Sequence, residues 1–127
     1  MLMNPYADHF ERLVTFYGVH VEYKPGSGRA WRKTKRMRIP LIKTAVTYAL
    51  ALHELGHLVG PQGTHRITKE LEAWEWARAN AMEWTKPMAS KAHDCLMTYK
   101  AWAIRRGDHV RFDAADFTTR LQNLYIK

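Results

Sequence analysis

Only one cysteine, Cys95, occurs in the 127 residues of this chain. It has no partner for an internal disulfide, which excludes a disulfide-stapled secreted miniprotein. A Cys-based zinc knuckle is excluded as well. Long apolar runs are also lacking. The stretch around Ala49 to Leu52 falls far short of the roughly 20 residues that a membrane span needs. The opening Met-Leu-Met-Asn-Pro-Tyr-Ala-Asp has no basic segment ahead of an apolar one, so no signal peptide is expected. There is no internal repeat, low-complexity tract or linker. A single soluble domain over 1–127, in the cytoplasm, is the expectation.

Acidic residues are missing from one segment. Residues 24–43 hold eight basic side chains (Lys24, Arg29, Arg32, Lys33, Lys35, Arg36, Arg38, Lys43) and no Asp or Glu. The whole chain has 20 Lys+Arg against 12 Asp+Glu, a net charge of +8, so this segment carries the entire excess. The protein is therefore close to neutral apart from one basic stretch, not a uniformly basic nucleic-acid coat. Hydrophobic residues make up 46% and there are five Trp, enough to bury a core and to exclude intrinsic disorder.

The pattern of residues predicts α+β architecture. Asn4-Pro5 can cap a helix that carries Phe10, Leu13, Val14 and Tyr17 and stops at Gly18. Val19, Val21 and Tyr23 alternate with His20 and Glu22, as in a strand. Lys24 to Gly28 reads as a turn. Residues 29–33 and 36–41 read as two more strands, giving a small three-stranded antiparallel sheet. Thr44 to Val59 is a nearly all-apolar helix ended by Gly60-Pro61. A second helix is expected from a Thr68 cap to about Trp84, with Lys86-Pro87 as a break. A third is expected from Ser90 to Arg106, ended by Gly107, and a short last one, capped by Asp113, carries Phe117, Leu121 and Leu124.

The all-apolar helix contains His53-Glu54-Leu55-Gly56-His57, an H-E-x-x-H sequence. Histidines at i and i+4 share one helix face, so both imidazoles can reach one metal ion. Glu54 can then act as general base on a water in the open position of a zinc site. Glu54 is the only Asp, Glu, Lys or Arg between Lys43 and Arg66. A charge in so apolar a helix needs a partner, and such a site supplies one.

A third ligand is required. The metzincin continuation fails, because Gly63 stands where its last histidine belongs. His65 is two residues beyond. The next helix offers Glu70, Glu72 and Glu75, and a Glu there completes a gluzincin set. The stretches Leu52 to Leu58 and Glu70-Leu71-Glu72-Ala73-Trp74-Glu75-Trp76-Ala77 resemble the ImmA/IrrE family of small metallopeptidases, over roughly residues 1–85. The family shows H-E-x-G-H followed by E-x-E-A-N-x-F-A. The resemblance implies an N-terminal helix, a three-stranded sheet, the H-E-x-x-H helix and a Glu-bearing helix. It implies Zn²⁺ held by His53, His57 and Glu72, with Glu54 as the catalytic base. Glu70 matches a preceding acidic position of unclear role. Trp74 replaces the family's Asn and Trp76 its Phe. Glu75 is the candidate for orienting a histidine, and Glu75 and His65 are the fallback ligands.

His93, Tyr99 and His109 are candidates for stabilising an oxyanion. Trp74, Trp76, Trp84 and Trp102 read as core. Arg32, Arg36 and Arg38 in the basic segment are the expected substrate rim, beside a cleft that takes a protein substrate, a regulatory or DNA-bound protein being the expectation from the family. With Trp31, the same cations can contact nucleic acid. The sequence thus points to a zinc-dependent hydrolase acting on a protein, of the kind a phage or mobile element would carry. The alternatives are a related hydrolase of non-peptide amides, or a non-catalytic basic module that binds nucleic acid or protein around a structural or vestigial zinc site.

Overall fold

A computed structural model describes residues 4–107 and 113–125. Eight elements follow one another: α1 (Pro5–Tyr17), β1 (His20–Tyr23), β2 (Arg29–Trp31), β3 (Arg36–Ile39), α2 (Ala45–Val59), α3 (Arg66–Asn80), α4 (Lys86–Arg105) and α5 (Ala114–Asn123). The architecture is α+β, as expected. No helix among the described residues is long and apolar enough to cross a membrane.

The sheet differs from the expected one. Its order is β1-β3-β2, with β3 antiparallel to β2 but parallel to β1. The reason lies in the residues. Met37 and Ile39 of β3 are both buried, whereas β1 exposes His20, Glu22 and Tyr23. The most apolar strand therefore takes the centre. A turn through Arg32 to Lys35, with Lys35 in the left-handed region (φ 50°), folds β3 back on β2. Lys24 to Gly28 then serves as a connection rather than a hairpin turn.

Two helix starts also differ. His65, not Thr68, occupies the cap position of α3. Pro87, read as a breaker, sits in the first turn of α4 behind a Thr85 cap. Proline loses nothing there, because the first N–H groups of a helix have no intrahelical partner. As a result α3 ends at Asn80 and α4 begins at Lys86.

The apolar character of α2 reflects its place at the centre, against α1, α3, α4 and the sheet. Tyr48, Leu52 and Leu55 are fully buried on it. The backbones of α2 and α3 touch at Gly56. A Cβ added there would lie 2.8 Å from the Ala73 carbonyl oxygen and 3.2 Å from Ala73 Cα. That approach sets the spacing of the two helices that carry the site.

Candidate metal centre

One turn of α2 presents His53 and His57 side by side, with ring centroids 4.6 Å apart. The carboxylate that meets them is Glu70 of α3. His53 Nε2 lies 2.9 Å from one Glu70 oxygen and His57 Nε2 lies 2.9 Å from the other. The two Nε2 atoms are 3.1 Å apart. Ligands on a tetrahedral zinc with bonds of about 2.0–2.1 Å stand about 3.3 Å from one another. The three side chains fit such an ion with shifts of a few tenths of an ångström. They are the only group of three or more His, Cys, Asp or Glu among the described residues arranged this way.

Two of the three are buried and His57 is partly exposed. His53 is 8% exposed and Glu70 2%. Burial pushes the Glu70 carboxyl up, but hydrogen bonds and charge from His53 and His57 outweigh it and bring its pKa down to about 2. An ionised carboxylate facing two imidazole nitrogens is a donor set suited to Zn²⁺. His53 is held from behind by Trp74, whose indole stacks on it at 4.4 Å and 13° from parallel.

Glu72, expected as the third ligand, is not in this cluster. Its carboxylate lies beside Gly63, on a different side of α3. Helical spacing explains the difference. Ile67, Glu70, Leu71, Trp74 and Ala77 form the buried stripe of α3, and Glu70 belongs to it. Glu72 and Glu75 share another face. Glu75 is engaged by a two-pronged ion pair from Arg120 of α5. His65 lines a separate cavity of about 310 Å³ with Asp116 and Arg120.

Glu54 lines the same cavity, its carboxylate 3.5 Å from His53 Nδ1, the ring nitrogen that does not face Glu70. Burial raises its pKa, against the pull of both histidines. That is the direction a general base needs to work near neutral pH. Gly28, just before β2, closes over it: a Cβ there would lie 2.9 Å from Glu54 Cγ.

Two adjoining cavities share Gly28, His53, Glu54 and Tyr99. One, of about 360 Å³, adds Arg29, Ala30, His57, Arg66 and Glu70. The other, of about 340 Å³, adds Ile39, Pro40, Leu50, Lys91 and Cys95. Among the described residues, Tyr99 of α4 is thus the one oxyanion candidate that lines the cleft. The Arg66 guanidinium lies 5.9 Å from its ring centre. Burial raises the Tyr99 pKa, so it remains a phenol. His93 faces Asp94 and Tyr125 instead. His109 lies outside the described residues.

Of the expected rim, Arg36 and Arg38 are on the outer sheet face, not among the residues that line the cleft. Arg32 donates to the His57 carbonyl at 3.3 Å, at the end of α2. The cations among the residues that line the two cavities are Arg29, Arg66 and Lys91. Arg66 was findable, since it stands one helical turn before Glu70; Lys91 and Gly28 gave no signal in the sequence. No protein-family model, curated protein or solved structure matches this chain.

Proposed function

We propose that this protein is a cytoplasmic zinc-dependent peptidase of gluzincin type, akin to the ImmA/IrrE family, with His53, His57 and Glu70 as the metal ligands. One observation carries the reading: the three side chains converge on one point while Glu54 stands beside them in an open cleft. Structural zinc sites are closed and usually Cys-rich, whereas catalytic ones keep a position for water. Zinc bound there would polarise a peptide carbonyl and acidify a water molecule.

The chain's own residues do the rest. Glu54 takes the proton of the attacking water and passes it to the leaving amine. The Tyr99 hydroxyl and the Arg66 guanidinium supply donors toward the oxygen that gains charge. The apolar wall of Ile39, Pro40 and Leu50 accommodates a side chain of the substrate. The single thiol, Cys95, is free, as suits a reducing compartment.

The test is metal content and proteolysis of the purified protein. Wild type should bind about one zinc per chain. Glu54→Gln should keep the zinc and lose cleavage of an unstructured protein such as casein. A wild type that folds but takes up no zinc overturns the proposal.

A further inference from the structure

Of the basic strand residues, Arg29 borders the cleft, whereas Arg36 and Arg38 do not line it. Strand alternation buries Met37 and Ile39 and turns Arg36 and Arg38 to the opposite face of the sheet. The pairing of β2 with β3 places Trp31 opposite Arg36 and Arg29 opposite Arg38. Three guanidinium carbons then surround one indole, at 5.5 Å (Arg29), 5.2 Å (Arg36) and 5.4 Å (Arg38) from its centre. Trp31 itself is partly exposed.

Little on this face neutralises the cations. On the neighbouring β1, Glu22 stands opposite Arg38 at 3.6 Å, and His20 opposite Arg36. Arg38 Nε, the atom of that ion pair, is buried and makes no hydrogen bond. No other acid lies on the three strands. Glu22 answers one of the three charges gathered on the ring; the remaining two repel each other unless a further anion joins them.

We infer that the outer sheet face, centred on Trp31 and bounded by Arg29, Arg36 and Arg38, binds single-stranded nucleic acid. Guanidiniums hold phosphates, and an exposed aromatic ring stacks on an unpaired base; together they are the two elements of single-strand recognition. A duplex keeps its bases stacked inside and leaves the indole nothing to stack on. An acidic peptide would engage the arginines and leave the indole unused. This inference stands whether or not the cleft cleaves peptides.

The experiment uses the full chain and a fluorescein-labelled oligothymidylate of about 15 nucleotides, followed by anisotropy. Three phosphate contacts at a slope of about −0.7 each predict a loss of about 20-fold in affinity between about 50 and about 200 mM salt. Arg36→Gln with Arg38→Gln should reduce the slope to about −0.7. Trp31→Leu should weaken binding roughly 5- to 150-fold, the value of stacking one base. Lys86→Gln with Arg105→Gln, which removes the same charge from α4, should change it little. Wild-type tryptophan emission should be quenched by the oligonucleotide, and that quench should be absent in Trp31→Leu. No salt-sensitive binding by wild type overturns the inference without any variant. So does equal weakening by the α4 pair, equal affinity for a blunt duplex, or displacement by polyglutamate at equal charge, which would identify an acidic protein as the partner.

Discussion

The imidazole of His53 lies flat on the indole of Trp74, ring centres 4.4 Å apart and planes 13° from parallel. Trp74 is fully buried, and its Nε1 has no hydrogen-bond partner. Trp74→Ala should cost about 3–5 kcal/mol. It should also weaken zinc about 10- to 100-fold, as loss of an outer support of a ligand does. Trp74→Phe keeps a ring under His53 and removes an unsatisfied donor worth about 1–3 kcal/mol, which offsets much of the lost volume. Urea melts and zinc titrations of the two variants should therefore diverge.

Glu70 and Glu72 make a paired test of the site. With Glu70 as the proposed third ligand, Glu70→Gln should lower zinc affinity by more than the roughly 10- to 100-fold of an outer support. Glu72→Gln should bind zinc as wild type does. Calorimetric titration of both reads the difference, and the reverse result would return the ligand role to Glu72.

Gly56→Ala tests the approach of α2 to α3. The new Cβ meets backbone, at 2.8 Å from Ala73 O, and backbone cannot step aside. Overpacking of about 1–3 kcal/mol should exceed the gain of at most about 1 kcal/mol in helix propensity. Thermal unfolding should move down by several degrees.

Gly28→Ala should act differently. Its Cβ meets the side chain of Glu54, at 2.9 Å from Cγ and 3.2 Å from Cδ. That carboxylate can shift, so stability and zinc content should hold. A displacement near 1 Å can cost up to about 100-fold in turnover. Steady-state kinetics beside a melt separates the two effects.

Acid should weaken the packing of α1 on α2. Tyr48 accepts from the Met82 N–H, which leaves its own hydroxyl to donate to His9 Nδ1 at 2.6 Å. His9 must be neutral to accept. Burial, aided by the charge of Arg12, lowers its pKa from 6.5. The folded state thus holds its proton less tightly than the unfolded chain. This contribution is full above pH 6.5 and is lost as pH falls through the lowered value. His9→Gln should show a smaller loss of melting temperature between about pH 7.5 and about pH 5 than wild type does.

Much of this was legible in the chain itself. The H-E-x-x-H spacing fixes which face of α2 holds the histidines, because helical geometry does not depend on context. A short match to E-x-E-A points to Glu72, whereas the apolar period of α3, in which Glu70 sits with Ile67, Leu71 and Trp74, brings Glu70 to the two histidines. The sheet is not wholly antiparallel as expected, for a different reason. Alternation gives the faces of a strand but not its neighbour, and the burial of Met37 and Ile39 decides that β3 lies in the middle. Tyr99, Lys91 and Cys95 come from α4, outside the stretch that resembles a family, and only tertiary packing brings them to the cleft.

Trp74 also touches Trp84 edge-on, and Trp84 Nε1 donates to the Leu124 carbonyl at 2.6 Å. A row of rings therefore runs from His53 to the last turn of the described chain. Shortening the protein at its C-terminal end would remove no ligand, yet it would take away the far support of the wall on which His53 rests. Helix α5 thus acts as a buttress for the His53, His57 and Glu70 cluster on the other side of the core.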